Sequence, residues 1–294
     1  MKSGFVSIVG RPNTGKSTLI NTLINQKIAI VSDVAGTTRN TIQGIYHDED
    51  TQIVFVDTPG IAKASDRLGK HLNKQSYESL EDIDAILFVV DAAAGIGRGD
   101  KWIIEALKHT SVPVILVINK IDKITKDGIL KTITTYKDLF DFADIIPISA
   151  LKNDNVDRLI SLVKTYLKDE IKYYDDDVVT NTDPYFMITE LVREKILNLT
   201  TDEVPHSITC VLTAFNDKSS LAEICVDIIV SRDSLKKIII GKQGSMLKTI
   251  GTEARKDIEK LLGKPVYLEL YVKTVKNWRN KESFLNEIGF DENN

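Results

Sequence analysis

The sequence predicts an α/β protein in which a doubly wound parallel sheet is followed by a smaller α+β domain. Three observations carry this prediction. Up to about residue 168, apolar strand-like runs alternate with segments of helical spacing, as in parallel sheets with crossover helices. An acidic stretch closed by proline then interrupts the alternation. Beyond it, one helical segment precedes two consecutive strand-like runs, which indicates a second unit of different topology.

The chain length of 294 residues agrees with two domains, because domains typically span about 50–200 residues. We expect a first domain at 1–170, a linker at 171–184 and a second domain at 185–294.

The composition is typical of a globular protein, with 43% hydrophobic and 27% charged residues. Cys210 and Cys225 give no disulfide framework, which favours the reducing cytoplasm. The first strand-like run begins close behind Met1, so we expect no signal peptide, and no apolar run has membrane-spanning length. The four histidines lack ligand spacing, so we expect no histidine metal site.

Five apolar runs in the first domain are expected to form buried parallel strands. They lie at 5–9, 53–56, 85–90, 114–118 and 145–148. Apolar residues recur at helical spacing in the intervening segments, notably 101–109 and 156–167. Right-handed crossovers then place helices on both faces of the sheet.

Residues 10–17, GRPNTGKS, form a phosphate-binding pattern between the first strand-like run and a helical run. This strand–loop–helix context is what a P-loop requires. The glycines let several backbone N–H groups turn toward an anion, and the N-terminus of the following helix adds positive potential. The residues expected to hold a nucleotide here are Gly10, Arg11, Pro12, Asn13, Thr14, Gly15, Lys16, Ser17 and Thr18.

Four further motifs follow in order, each at the end of a strand-like run or between two runs. They are Thr37-Thr38-Arg39, Asp57-Thr58-Pro59-Gly60, Asn119-Lys120-Ile121-Asp122 and Ser149-Ala150-Leu151. Each motif taken singly also fits an ordinary solvated turn. Ligands of open α/β sheets bind beyond the carboxyl ends of the strands, so the ordered set predicts one nucleotide site.

The hydrogen-bonding groups of the last two motifs favour guanine. Guanine offers two adjacent donors that suit the acceptor-only carboxylate of Asp122, whereas adenine would place an acceptor against it. Asn119 is expected to hold the base edge and the P-loop together, and the stem of Lys120 to cover the ring. The N–H of Ala150 is expected to donate to O6 of the base. GTP is therefore predicted over ATP.

Lys16, Thr38 and Gly60 are the predicted catalytic residues. Lys16 is expected to reach the β- and γ-phosphates, and Gly60 to donate its N–H to the γ-phosphate. Mg²⁺ would be held by Ser17 and Thr38, with Asp57 bound through a water.

The sequence also predicts slow unassisted hydrolysis. Ile61 follows Gly60 where some GTPases have a glutamine that orients water, and isoleucine forms no hydrogen bond. No intrinsic arginine finger is assignable; Arg39 is a candidate for one, although we expect it to be a solvated residue of this region.

The second domain is expected to contain, in order, a helix at 186–199, strands at 207–215 and 222–231 joined by a turn at 216–220, two short helical patterns around a Gly-x-x-Gly at 241–244, a basic helix to about Leu262 and a strand at 266–272. Two glycines allow a phosphodiester backbone to approach closely, as in the RNA-binding loop of KH domains. A plain helix–turn–helix is the alternative.

Local charge favours the KH interpretation. Residues 232–281 carry thirteen Lys/Arg and five Asp/Glu, a net charge of +8 in a chain of net charge −4. We therefore predict a type II KH domain. Its expected RNA-binding residues are Lys236, Lys237, Ile240, Gly241, Lys242, Gln243, Gly244, Lys248 and Arg255.

The ordered motifs resemble those of bacterial translation-associated GTPases, and further segments resemble the Era family specifically. These segments are Arg193-Glu194-Lys195-Ile196-Leu197, Glu203-Val204-Pro205-His206-Ser207, Ile238-Ile239-Ile240-Gly241-Lys242 and Lys276-Asn277-Trp278-Arg279-Asn280. The resemblance covers nearly the whole chain. It implies a GTPase with GTP or GDP and Mg²⁺ as ligands, whose KH domain binds the 3′ end of 16S ribosomal RNA during assembly of the small ribosomal subunit.

The resemblance carries three further expectations. It implies that Asn13 helps to bind a K⁺ ion that supplies part of an arginine's electrostatic role. Thr14 stands where the family usually has valine, and we expect little consequence because this position contributes mainly backbone. We expect a cytoplasmic monomer with peripheral contact at the inner face of the cell membrane.

Two alternatives stay open on the residues alone. One is a binding protein in which GTP only sets the conformation and turnover is negligible. The other is a membrane-associated or RNA-modification GTPase whose basic C-terminal domain binds another polyanion, such as lipid headgroups.

Overall fold

The computed structural model describes residues 1–61 and 63–290, which separate into two compact units. The N-terminal unit contains Met1–Val31, 38–61, Lys63 and Leu72–Asn181, and the C-terminal unit contains Ser32–Thr37, Ala64–His71 and 182–290. Two short segments from the first half of the chain therefore belong to the C-terminal unit. The end of the predicted second domain, 291–294, lies outside the described residues.

The first half of the chain forms a six-stranded sheet with helices between the strands. The strands are β1 (Lys2–Val9), β2 (Ile42–His47), β3 (Thr51–Asp57), β4 (Ala85–Asp91), β5 (Val114–Asn119) and β6 (Asp144–Pro147). The helices are α1 (Lys16–Ile24), α2 (Arg67–Glu78), α3 (Arg98–Leu107), α4 (Lys126–Lys137) and α5 (Val156–Val163). All five predicted strand runs fall in or across these strands.

The sheet order is β2-β3-β1-β4-β5-β6, and every pair is parallel except β2 with β3. The predicted doubly wound sheet is thus confirmed. The antiparallel edge strand β2 was not predicted.

Both faces of the sheet are covered, which explains why its strands are apolar without alternation. Along β4, Leu87 and Val89 pack in the cluster that includes α1 and α5 residues, whereas Phe88 and Val90 pack in the cluster that includes α3 residues. All four side chains are fully buried. A buried side chain of this size contributes about 1.5–3 kcal/mol through the hydrophobic effect, so the two layers fix the strand ends that carry the motifs.

The second half of the chain forms a three-stranded sheet with helices. Its elements are α6 (Pro184–Leu199), β7 (Ile208–Asp217), β8 (Ala222–Val230), α7 (Asp233–Ile240), α8 (Ser245–Leu262), β9 (Val266–Thr274) and α9 (Glu282–Glu287). β7 pairs antiparallel with β8, and β8 pairs parallel with β9. The predicted second short helix and long basic helix are one helix, α8, because the isolated Gly251 inside it costs only about 1 kcal/mol relative to alanine and does not end the helix.

The predicted linker is largely structured. Val179 accepts a hydrogen bond from the Ile45 N–H at 2.9 Å, and the side chain of Gln52 bonds to the backbone of Tyr174, so residues up to 181 lie along the edge of the N-terminal sheet. Pro184, assigned to the linker, is the first residue of α6. Asp183 caps that helix by accepting from the Tyr185 N–H at 2.8 Å.

Each unit contains one of the two tryptophans. Trp278 is fully buried in the C-terminal unit, and its Nε1 donates to the Ser207 carbonyl at 3.0 Å. Trp102, on α3 of the N-terminal unit, is 41% exposed.

Candidate functional site

Three hydroxyl or carboxylate side chains meet beside the P-loop. Ser17 lies in the first turn of α1, Thr38 in the loop before β2, and Asp57 at the carboxyl end of β3. The Ser17 hydroxyl donates to Asp57 Oδ2 at 2.9 Å, and its Oγ lies 2.8 Å from Thr38 Oγ1. These are the three predicted Mg²⁺ ligands, and the structure brings them together.

Asp57 is buried to an unusual degree for a carboxylate. Its side chain is fully inaccessible, and Oδ1 has no hydrogen-bond partner among the described residues. Burial raises its pKa to about 6, although the Lys16 charge and the Ser17 hydrogen bond act in the opposite direction. An unpartnered buried anionic oxygen is costly. Together with two hydroxyl oxygens it fits the oxygen-ligand preference of Mg²⁺.

Lys16 is held inside the P-loop by backbone. It is 5% exposed, and its Nζ donates to the carbonyls of Gly10 at 3.1 Å and Arg11 at 3.2 Å. Burial lowers the pKa of Lys16, an effect that the Asp57 charge partly offsets. The ammonium group is thus fixed where the loop curves around an anion.

Gly60 approaches the P-loop closely. A Cβ atom at this position would lie 2.8 Å from the Pro12 nitrogen, so no other residue fits without a shift. Thr58 and Pro59 fix the chain before it. The Thr58 hydroxyl donates to Ile8 O at 3.0 Å, and Pro59 O accepts from the Ser76 hydroxyl at 2.7 Å.

Asn119 links three of the predicted loops. Its Nδ2 donates to Thr14 O at 2.9 Å, and its Oδ1 accepts from the Ala150 N–H at 3.0 Å. In this structure the Ala150 N–H donates to the Asn119 carboxamide, and its donation to O6 of the base stays a prediction. Asp122 Oδ1 accepts from the Ser149 hydroxyl at 2.6 Å, which orients the carboxylate proposed to recognise guanine.

Lys120 has a partner that sequence reasoning missed. Its Nζ donates to Asn13 O at 2.6 Å and to Asp91 Oδ2 at 2.7 Å. Burial alone would raise the pKa of Asp91, but the Lys120 ammonium lowers it below its usual value. The signal was present, since Asp91 ends a buried strand as Asp57 and Asn119 do.

Two side chains of the P-loop, those of Arg11 and Thr14, form contacts that do not point into the anion-binding interior of the loop. Arg11 donates from Nη2 to Gly95 O at 2.9 Å, and its Nε lies 3.1 Å from the fully buried Asp100 Oδ2. The Thr14 hydroxyl donates to Arg11 O at 3.1 Å. Thr14 therefore contributes a local side-chain bond as well as backbone, whereas Arg11 contributes backbone to the loop's interior.

The exposed fraction of the side chain differs widely among three further residues of the predicted motifs and their neighbours: Arg39, Ile61 and Leu151. Arg39 is 5% exposed, so the prediction of a solvated side chain is wrong; its neighbours Thr37 and Thr38 are buried too, because this loop packs inward. Ile61 is 1% exposed in the core next to Val9, Ile86 and Phe88, away from bulk water. Leu151 is 70% exposed.

The Gly-x-x-Gly loop joins α7 to α8 in the C-terminal unit. Gly241 has φ of 73° and ψ of 178°, a conformation that strongly favours glycine, and a Cβ there would lie 2.7 Å from Met246 Cβ. Lys242 and Gln243 are exposed at the tip.

A groove of about 480 Å³ runs from this loop between α8 and β9. Two predicted RNA-binding cations, Lys248 and Arg255, line it beside Gly244. Lys236 and Lys237 lie on α7 and do not line it, and Ile240 is half-buried at the end of α7. The groove also contains residues that were not predicted: Leu247, Gly251, Thr252, Leu268 and Leu270.

Comparisons with known proteins agree with both sites. Residues 5–120 match the protein family described as 50S ribosome-binding GTPase, and residues 203–279 match the KH domain family. A crystal structure of Era from Aquifex aeolicus bound to GDP·AlF4⁻ is 41% identical with a TM-score of 0.95, and the match covers 99% of this chain and 100% of that chain. The chain belongs to the Era family.

A second Era structure agrees equally well. It is 41% identical with a TM-score of 0.96 over 99% of both chains, and it contains MgGDPNP and nucleotides 1506–1542 of 16S ribosomal RNA. The predicted order of P-loop GTPase domain and KH domain is therefore confirmed for this Era-family chain.

Two general features complete the description. Across residues 1–61 and 63–290, no helix is long and apolar enough to cross a bilayer. In the same part of the chain, no three His, Cys, Asp or Glu side chains form a metal-binding group.

Proposed function

We propose that this Era-family protein is a GTPase that binds and hydrolyses GTP with Mg²⁺ and binds the 3′ end of 16S ribosomal RNA through its KH domain, and so assists assembly of the small ribosomal subunit. The observation that carries the nucleotide half is the meeting of Ser17, Thr38 and Asp57, with a buried carboxylate oxygen left without a partner. The RNA half is supported by the Gly-x-x-Gly loop and its groove, and by the RNA present in the related Era structure.

The roles in the nucleotide site follow from the contacts. Ser17 and Thr38 would hold Mg²⁺ directly and Asp57 through a water, and the ion would neutralise charge on the β- and γ-phosphate oxygens. Lys16 places a fixed positive charge in the P-loop, where developing negative charge is stabilised without reorganisation. Gly60 would donate its N–H to the γ-phosphate. Loss of the γ-phosphate would remove this contact and release the chain at Gly60.

Unassisted turnover should be slow. The buried Ile61 cannot orient a water by hydrogen bonding, and its position in the core excludes it from that role. Asn13, exposed at the P-loop tip with φ of 67°, is the residue proposed to help bind K⁺.

Guanine specificity is assigned to Asp122, with Asn119 and Ser149 fixing its surroundings. Lys120 is anchored at its ammonium end by Asn13 O and Asp91, which leaves its aliphatic stem to cover the base.

We further propose a cytoplasmic monomer that contacts the inner face of the membrane peripherally. Family resemblance supports this, and the basic charge of 232–281 suits a polyanionic surface.

The deciding experiment is a multiple-turnover GTPase assay with and without a 16S 3′-end oligonucleotide. We expect slow Mg²⁺-dependent turnover that the RNA changes, and none in Lys16→Ala, which should lose nucleotide affinity while staying folded. Competition between the oligonucleotide and anionic vesicles tests the RNA assignment. If the vesicles displace the protein from the oligonucleotide but the oligonucleotide does not displace it from the vesicles, the result would favour a C-terminal domain that binds lipid headgroups.

A further inference from the structure

Arg193 is a fully buried arginine in the middle of α6, within the C-terminal unit. Its Nε donates to Glu190 Oε1 at 2.7 Å and its Nη2 to Glu190 Oε2 at 2.5 Å. Both side chains are at least nine-tenths buried. Such a pair loses much of its attraction to desolvation, and apolar residues of similar volume often stabilise a core equally well. Stability alone therefore does not explain an arginine here.

The guanidinium has a second acceptor outside its own helix. Nη2 also donates to the carbonyl oxygen of Thr37, which lies in the segment 32–37 of the same unit. The Thr37 hydroxyl donates to Val34 O at 2.6 Å and closes a turn. The backbone at Thr37 is thus fixed from two directions, by Arg193 at its carbonyl and by Val34 at its side chain.

The peptide bond after Thr37 transmits this constraint to the next residue. A peptide unit is planar, so the Thr37 carbonyl, the Thr38 N–H and the Thr38 Cα form one rigid group. Fixing the carbonyl restricts where the Thr38 hydroxyl lies, and that hydroxyl is 2.8 Å from Ser17 Oγ.

We propose that Arg193 is a positioning residue that orients Thr38 for Mg²⁺ binding by holding the Thr37 carbonyl. The inference rests on the proposed function, because Thr38 is proposed to bind Mg²⁺ only when a nucleoside triphosphate is bound. Arginine suits the task because its planar fork binds Glu190 through two nitrogens and still reaches a carbonyl, which a single ammonium cannot do.

Two variants and one matched control test the proposal. Arg193→Lys keeps the charge but loses the fork. The double variant Glu190→Leu with Arg193→Met removes both charges, so that no carboxylate is left buried and unpaired. The control is Lys195→Met on the same helix, which removes ion pairs with the buried Glu194 and with Asp257, two residues that lie outside 32–37.

We expect the double variant to need about ten-fold or more Mg²⁺ for half-maximal GTP turnover, the size of one lost charge-assisted hydrogen bond. Arg193→Lys should lie between it and the wild type, and GDP affinity should stay unchanged. Backbone amides of 32–39 should exchange hydrogen faster in the variants with Mg²⁺ and GDPNP bound. Lys195→Met should match the wild type in both measurements.

The outcomes separate the two claims. A wild-type protein without Mg²⁺-dependent turnover would overturn the proposed function itself. Normal wild-type turnover, with the Mg²⁺ requirement and the 32–39 exchange unchanged in the Arg193 variants, would overturn the positioning role. If the double variant does not fold, Arg193→Lys decides by the same two measurements.

Discussion

At the scale of single residues, the nucleotide site is organised by burial of charge. Asp57, Lys16 and Asn119 are all nearly inaccessible. Asp57 accepts from the Ser17 hydroxyl and Asn119 donates to the Thr14 carbonyl, whereas Lys16 donates to a carbonyl of its own P-loop. Polar groups placed in this way need no reorganisation when a charged ligand arrives.

Asp57 predicts a measurable pH dependence of stability. Its pKa of about 6 in the folded protein exceeds the unfolded value of about 3.9, so the folded state binds more protons between these values. Without nucleotide and in EDTA, wild-type stability should therefore fall as pH rises through this window. Relative to Asp57→Asn, the loss should approach about 3 kcal/mol, at 1.36 kcal/mol for each pKa unit.

Urea unfolding of both proteins from pH 4 to pH 7 measures this difference. The exposed Asp127→Asn serves as the control and should follow the wild type. Parallel pH profiles of the wild type and Asp57→Asn would show that Asp57 ionises without cost.

Asp122 predicts a change of base preference. In Asp122→Asn an amide replaces one acceptor by a donor, which suits the 2-oxo group of xanthine. GTP affinity should fall at least about ten-fold, as expected for a lost charge-assisted bond, and XTP affinity should rise. Fluorescent-nucleotide competition measures both. Retained GTP affinity without a gain for XTP would contradict the assignment of the base pocket.

At the scale of elements, the Gly-x-x-Gly loop offers a matched pair of glycines. Gly244 and Gly263 have φ of 78° and 66°, and a Cβ at either would meet nothing within 4 Å. Leucine at either position therefore strains the backbone similarly, but only Gly244 lies beside the groove. Gly244→Leu should weaken binding of a 16S 3′-end oligonucleotide about ten-fold or more in both nucleotide states, through lost phosphate contacts.

GTP affinity should be unchanged in both glycine variants, and Gly263→Leu should lower only the thermal stability. Equal RNA affinity of the two variants would argue against the loop as the phosphate clamp.

At the loop tip, Lys242→Ala should reduce the slope of the logarithm of the RNA association constant against the logarithm of the salt concentration by about one unit or less.

The elements also show how far sequence reasoning reaches. Fully buried strands such as β4 and β5 were predicted, because burial on both faces leaves continuous apolar runs. β2 was missed because an edge strand needs fewer apolar residues, and Gln43 and His47 break its run. The predicted helix 156–167 ends as a helix at Val163, since turn residues follow it.

The site was predicted to a similar degree. Motifs at strand ends identified Ser17, Asp57 and Asn119, because backbone topology alone brings them to one edge. The bond from Arg193 to Thr37 spans 156 positions and depends on tertiary packing, so no local pattern encodes it.

At the scale of the whole molecule, the two units share the chain around the nucleotide site, which predicts coupling between the bound nucleotide and RNA binding. Segments 32–37 and 64–71 belong to the C-terminal unit, yet they adjoin Thr38 and the chain after Gly60. Loops of this kind are ordered by a γ-phosphate and released on its loss. RNA should therefore bind more tightly with Mg²⁺ and GDPNP than with GDP, by about five-fold or more for a typical coupling free energy.

Fluorescence anisotropy of a labelled 16S 3′-end oligonucleotide at one fixed salt concentration measures this coupling. The GTP-site variant Lys16→Ala should show a single RNA affinity whichever nucleotide is added. Identical affinities of the wild type in the two nucleotide states would leave two independent binding units on one chain.

The distribution of indole rings gives the molecule two built-in optical probes. Trp102 is 41% exposed in the N-terminal unit, and Trp278 is fully inaccessible in the C-terminal unit. Emission from Trp102 should be red-shifted and quenched by acrylamide, whereas emission from Trp278 should be blue-shifted and shielded until its surroundings open. The loss of order in each half can thus be followed at its own wavelength, in one sample and without an attached dye.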